Sequence, residues 1–336
     1  MKEIKANRYR AYINHAVTTR NAFCGRIAFS NYASAEYAIM FAMNQNADIL
    51  KDLAPVLAFF SFWLGASIAS FLNVVIWRVP RGESIVRPPS HCPRCNAPIK
   101  WWQNIPIVSW LALRGKCANC RAPISPRYIF VEALGGCLFL AAFLWQWLPN
   151  VPLWVSVMHV VVMWIWIALM IAGAFIDFDH QLLPDFTTVG GMILGVAESI
   201  AVTCFNFVYG DGVGASTWLK LTPLFWSIGG LVFGFGLLWL VRWLGSKAFK
   251  REAMGMGDVF LMGAVGALFG PVAVLVTLIL SSVFGSVVGV GMILLSKAKF
   301  GKFVAIPYGP YICMGCLAWM FYGPQLVNWY IHLVTP

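Results

Sequence analysis

Two aspartates stand where aspartate is costly. Asp258 ends the stretch Gly255-Met256-Gly257-Asp258 and opens a long apolar run; Asp177 closes another, in Phe175-Ile176-Asp177-Phe178-Asp179-His180-Gln181-Leu182-Leu183-Pro184-Asp185. An ionisable group at the edge of a hydrocarbon-length segment is by default a candidate for function. Two carboxyls in one site cannot both ionise: the ionised one can polarise a water, and the protonated one can hydrogen-bond a carbonyl under attack. Gly255 and Gly257 leave room for an extended backbone beside Asp258. Pro184 suits the first turn of the next helix. Asp179, Asp185, His180 and Glu198 compete with Asp177 for a role. Asp185 reads equally as a helix cap, His180 as an interfacial polar residue, and Glu198, in mid-span, as a hydrogen-bonding partner for a neighbouring helix.

A second constellation is Cys92-Pro93-Arg94-Cys95 with Cys117-Ala118-Asn119-Cys120. Each CxxC places two sulfurs on a tight turn, and two such turns close a tetrahedral metal site that leaves no open position for chemistry. Zinc suits four thiolates and iron is the alternative; a redox pair and an unmetallated loop are the other readings. The pair Cys313/Cys316 has the same spacing but lies in an apolar stretch, where packing is the simpler role.

The elements that carry these groups are membrane spans. The chain has 336 residues, 60% hydrophobic and 11% charged, against roughly 25% charged in soluble domains. Apolar runs near 20 residues predict helices that cross the bilayer, and the ten-residue alternation of a membrane β-barrel is missing. The expectation is an all-α polytopic membrane protein with about eight transmembrane helices, near 53–77, 129–148, 152–176, 186–208, 221–241, 258–270, 272–296 and 304–323, and a polar four-cysteine loop at 78–128. The sixth and seventh divide at Gly270-Pro271, and 324–336 reads as a tail.

The net charge of +11 follows topology rather than nucleic acid. If the loop 78–128 is cytoplasmic, the inside segments hold sixteen Lys/Arg and the outside segments after Leu53 hold only Lys220, a positive-inside pattern. Asp177 and Asp258 then share the cytoplasmic membrane face. The same orientation puts the first 51 residues, with seven Lys/Arg, outside. Residues 1–52 therefore read as a disordered extension, an amphipathic surface helix, or a stretch ahead of a start at Met43.

On residues alone, a protease dyad and a proton-coupled transporter both remain open. The transporter would show inverted repeats with broken helices at matching positions, and no such repeat is visible. Taken together, Ser70-Phe71-Leu72-Asn73, Pro88-Pro89-Ser90-His91-Cys92, Asn104-Ile105-Pro106, Arg114-Gly115-Lys116-Cys117, Glu132, Ile176-Asp177, Leu183-Pro184-Asp185, Gly255-Met256-Gly257-Asp258 and Ile306-Pro307-Tyr308-Gly309-Pro310 resemble the type IV prepilin peptidases. The resemblance implies an inner-membrane GxGD aspartyl protease that removes the basic leader of prepilins and type II secretion pseudopilins on the cytoplasmic side. It also implies N-methylation of the new terminus with S-adenosylmethionine. Asp177 and Asp258 fall on the family's catalytic aspartates, and Cys92, Cys95, Cys117 and Cys120 on its zinc ligands. Ala69 departs from the family's usual glycine, in a region tied to methylation, so a peptidase without methyltransferase activity is a further alternative. The sequence contains no glycine-rich dinucleotide fold to mark a methyl-donor site.

Overall fold

The computed structural model describes residues 36–147, 153–209, 217–252, 254–295 and 307–335. Their architecture is a helical bundle. The helices are α1 (Glu36–Arg78), the short α2 (Val108–Ala112), α3 (Arg127–Gln146), α4 (Leu153–His180), α5 (Asp185–Tyr209), α6 (Thr217–Phe249), α7 (Met256–Leu295) and α8 (Gly309–Val334). Six of the helices among the described residues are long and apolar enough to cross a membrane: Leu53–Arg81, Arg127–Gln146, Leu153–His180, Asp185–Val208, Thr217–Phe249 and Met256–Met292. The chain is a multi-pass membrane protein.

The count of eight segments differs from six for two physical reasons. α7 contains two of the expected spans, and α8, which carries Gln325, Asn328 and His332 among its apolar residues, is not one of the six. Two expected ends also move. α6 continues past Val241 to Phe249, because Arg242 and Lys247 extend the helix rather than stopping it. α8 runs through Pro324 to Val334, so residues 324–334 are helical rather than a tail. Residues 1–35 of the expected N-terminal segment lie outside the described residues, and 36–52 continue α1 as helix.

The division of α7 is at Gly270, where φ is 81° and ψ 179°. That left-handed backbone favours glycine, and a Cβ there would collide with the Trp226 indole of α6. Pro271 follows. The arms fold back on one another: Met262 and Val274, on opposite sides of Gly270, both pack against Gly234 of α6. The first arm, Met256 to Phe269, is about 21 Å long at 1.5 Å per residue, short of a hydrocarbon core of about 30 Å. The second arm passes Thr277 beside Gly315 and reaches Ser281 beside Tyr308, at the start of α8. It then runs on to Leu295, about 21 Å further, with Val283, Val287, Val290 and Leu294 exposed.

α6 and α7 approach closely because Gly230 and Gly266 face each other's carbonyls, the small-residue contact typical of membrane helices. The Ser227 hydroxyl donates to the Ala267 carbonyl at 2.7 Å. The centre of the bundle is apolar, built around Trp166, Met163, Ile176, Met262 and Ile312, each at most 1% exposed. Gly270→Ala should destabilise the fold by at least about 1–3 kcal/mol through overpacking, with added strain from its φ. Thermal unfolding in detergent measures this; an unchanged melting temperature would mean that the Trp226 contact yields freely.

Candidate active site

Asp177 sits near the end of α4, and Asp258 in the first turn of α7. They are only 6% and 7% exposed, and each lies within electrostatic reach of the other. The start of α8 completes the site: the Gly309 amide donates to Asp177 Oδ2 at 3.0 Å, so an N-terminal helix amide points at the carboxylate. Asp258 accepts from the Gly255 backbone. Its Oδ1 is buried with no hydrogen-bond partner among the described residues. A buried, unpartnered carboxyl oxygen is an exception that calls for an explanation.

Leu183, in the turn between α4 and α5, wedges these parts together. A Cβ on Gly257 would lie 2.7 Å from Leu183 Cβ, and a Cβ on Gly309 would lie 2.7 Å from Asp177 Oδ2 and 3.2 Å from Leu183 Cδ1. This corrects the expectation for Gly257: the room it leaves is taken by Leu183, not kept for another backbone. Beside Gly255, the nearest groups to a Cβ among the described residues are Asp258 Oδ2 at 3.7 Å and the Gly257 nitrogen, so that side is the less crowded one. Tyr308 fixes the start of α8 by a 2.7 Å hydrogen bond between its hydroxyl and Ser281 of α7.

The competing residues separate by burial. Asp179 is exposed and pairs through both oxygens with Arg127 at 2.8 and 2.6 Å, tying the start of α3 to the end of α4. Asp185 is exposed in the first turn of α5, next to Pro184, whose carbonyl accepts from Thr187 at 3.0 Å. A first-turn carboxylate complements the helix dipole. His180 is exposed at the end of α4. Glu198 pairs with His159 at 2.7 Å between α5 and α4. Cys313 and Cys316 are buried in α8 against the core.

The four loop cysteines meet. Their sulfurs all lie within 4.8 Å of one another, and Cys92 Sγ is 3.8 Å from Cys120 Sγ. A tetrahedron with metal–sulfur bonds of about 2.3 Å has an edge of about 3.8 Å, so the cluster can hold a metal ion. The backbone readies the thiolates. The Ala97 amide and the Asn119 side chain lower Cys95 to about 6, and the Cys120 and Asn119 amides lower Cys117. Cys120 goes up to about 11 despite the Ala122 amide, because withdrawal from water and the neighbouring sulfurs oppose a further charge.

The two knuckles are one structure used twice, 25 residues apart. Cys92-Pro93-Arg94-Cys95-Asn96-Ala97-Pro98-Ile99 matches Cys117-Ala118-Asn119-Cys120-Arg121-Ala122-Pro123-Ile124. Each first cysteine amide donates to the alanine carbonyl, at 3.0 and 2.8 Å, and each isoleucine amide reaches back, to Ser90 and Gly115 at 2.9 and 2.7 Å. Asn96 and Arg121 take matching positive φ values of 55° and 59°. The Cys-x-x-Cys-x-Ala-Pro-Ile repeat was open to view in the sequence and went unread there.

Sequence comparison supplies the relationship. The type IV leader peptidase family pattern matches residues 164–290, and the bacterial peptidase A24 N-terminal domain matches 63–147. The chain is 33% identical over 298 residues to the prepilin leader peptidase/N-methyltransferase of Aeromonas hydrophila, covering 80% of this chain and 92% of that one. The chain belongs to the type IV leader peptidase family. The Pseudomonas aeruginosa protein of the same name is 33% identical over 292 residues, 80% of this chain and 91% of that one. The Myxococcus xanthus protein of that name is 40% identical over 243 residues, 71% of this chain but 64% of its own length. No solved structure matches the chain. Within the family match, 164–290 contains both aspartates, while the N-terminal match contains the four cysteines.

Proposed function

We propose that this chain removes the leader from prepilins and type II secretion pseudopilins at the cytoplasmic face of the inner membrane, with Asp177 and Asp258 as the catalytic pair, and N-methylates the new terminus with S-adenosylmethionine. The observation that carries the reading is the convergence of two buried carboxyls, from the end of α4 and the start of α7, at one end of the bundle. Membership of the family and the names of the relatives supply the substrate class. Asp177, which accepts the α8 amide, is the member placed to activate water. The unpartnered oxygen of Asp258 is placed to meet the scissile carbonyl. Gly255 leaves the less crowded approach, Gly257 seats α7 on Leu183, and the Pro184-Asp185 turn starts α5.

The four cysteines fit zinc: they would hold it as a closed structural site, and the ion would supply folding energy to the loop. The positive-inside charge pattern supports a cytoplasmic loop. A basic leader is drawn to the anionic leaflet at that face, and the apolar helix of a pilin lies beside the spans. In this reading residues 53–77 are the first transmembrane helix, 78–128 the cytoplasmic, methyltransferase-associated zinc loop and 129–323 the peptidase part.

The direct test incubates the purified protein in detergent with a prepilin and S-adenosylmethionine and reads the product by mass spectrometry. The expected product has lost a short basic leader and gained one CH₂. An uncut prepilin, under conditions where a relative cuts it, would overturn the reading. Gly309→Ala should lower kcat by about 10²-fold, since misplacing a catalytic group by about 1 Å has that effect, with KM little changed. Wild-type kcat in this variant would mean that the α8 amide does not position Asp177.

A further inference from the structure

A cavity of about 360 Å³ opens between α1 and the cysteine loop. One face of α1 lines it, through Ser67, Ser70, Phe71, Val74 and Arg78; Ser90 and Asn104 of the loop stand across from them. Ser67, Phe71, Val74 and Arg78 are three or four residues apart, as one helix face requires. Its volume is ordinary for a small-molecule site, and the aspartate pair makes no use of it.

Two features stand behind its wall, one built on the buried Glu132 and one on the turn at Ile107. Ser70 hydrogen-bonds the carboxylate of Glu132 on α3, which is 8% exposed. Glu132 Oε2 also accepts the Ile107 amide at 2.7 Å. Ile107 has φ 63° and ψ −53°, a strained γ-turn conformation that a β-branched residue rarely adopts. Strain of this kind persists only where the surroundings fix it, and it concentrates at ligand sites. Ser109 completes the hold by accepting from Ile105 at 2.9 Å and donating to the Trp102 carbonyl at 2.8 Å.

We propose that this cavity binds the methyl donor, S-adenosylmethionine, with Glu132 as the counter-charge to its cationic end. The assignment rests on the methylation reading above. The donor has three chemically distinct parts, and the cavity answers each. Its flat base can lie on Phe71, whose side is 50% exposed. Its sulfonium and ammonium need a buried anion and an aromatic face, supplied by Glu132 through Ser70 and by Phe71. Its carboxylate needs a fixed cation: the Arg78 guanidinium is held by the Ser84 and Pro88 carbonyls at 2.9 and 2.8 Å, which use two of its five donors. The departure at Ala69 leaves this lining alone, because Ala69 turns away to pack on Gly135 of α3. In the transfer, the free amine of the new terminus forms the N–CH₃ bond as the S–CH₃ bond breaks. The electron pair goes to sulfur, which leaves as a neutral thioether, and the amine's proton goes to water.

The test measures donor binding by equilibrium dialysis of the full-length protein in detergent, with radiolabelled S-adenosylmethionine and S-adenosylhomocysteine. Ser67→Trp and Val74→Trp, which fill the cavity from α1, should weaken both ligands at least tenfold. Glu132→Gln should weaken the cationic donor at least tenfold more than the neutral thioether. Metal content and melting temperature report the fold of each variant. Wild-type affinity in both tryptophan variants, from a protein that still methylates, would overturn the cavity assignment alone. A wild-type protein that neither binds the donor nor methylates would overturn the methylation reading, and this assignment with it.

Discussion

Asp258→Asn should abolish leader cleavage, and Asp177→Asn should do the same, each by at least about 10²–10⁴-fold, the range that a positioned acid or base contributes. The double variant should be hardly worse than either single one, because groups that act as a unit are not additive. Asparagine is the informative replacement. It keeps the shape of the side chain, and at 177 its amide oxygen can still accept from Gly309, so the packing of α4, α7 and α8 persists while the chemistry is lost. Mass spectrometry of prepilin after incubation reads the result, and metal content and melting temperature should stay at wild-type values. Full activity in either variant would move the pair elsewhere. Asp179 is a poor substitute, since both its oxygens are engaged by Arg127.

Removing the metal should have the other large effect. Between residues 79 and 126 only Cys92, Ser109 and Gly115 are buried, so the loop has almost no core of its own. Binding energies of structural zinc in small domains, about 10–16 kcal/mol, exceed anything such a loop could replace. Cys92→Ser, or a strong chelator, should release the metal and expose the loop to proteolysis. The repeat adds a sharper expectation: Cys117→Ser, at the matching position, should be equally damaging. Retention should also fail on acidification, since protons compete for the four thiolates. Metal analysis across pH, with limited proteolysis of the loop, checks all three. An unchanged metal content in Cys92→Ser would refute the cluster. Because the loop forms one wall of the cavity, methylation should suffer more than cleavage.

Much of this was readable from residue types. Asp177 and Asp258 were marked by their place at the ends of apolar runs, the cysteines by spacing, and the break in α7 by Gly270-Pro271. Contacts between distant segments could not be read. Nothing local says that Gly257 packs on Leu183, that Gly309 donates to Asp177, or that Glu132 restrains Ile107. The ends of α6 and α8 were missed because charge and proline stop helices only statistically, and packing overrides them. What sets Asp177 apart from Asp179 and Asp185 is its burial, which depends on the whole bundle and is not legible in any one stretch.

The second arm of α7 runs about 21 Å beyond the level of Tyr308, and it does so with valines and leucine facing outward. Trp243, Leu244 and Phe249 continue α6 in apolar fashion past Arg242, which holds the Met254 carbonyl just ahead of Asp258. Oily side chains of this kind favour lipid tails, so the acyl region is expected to reach past the level of the aspartates and leave them in a notch. How deep the notch lies then depends on the acyl chains around it. Thin bilayers bring water and the leader's charges nearer to the carboxyls, and thick ones draw them away, at a cost of fractions of a kcal/mol per Å of mismatch. Leader cleavage should therefore vary with acyl-chain length in vesicles of constant headgroup composition, a dependence that proteoliposomes of graded thickness would measure.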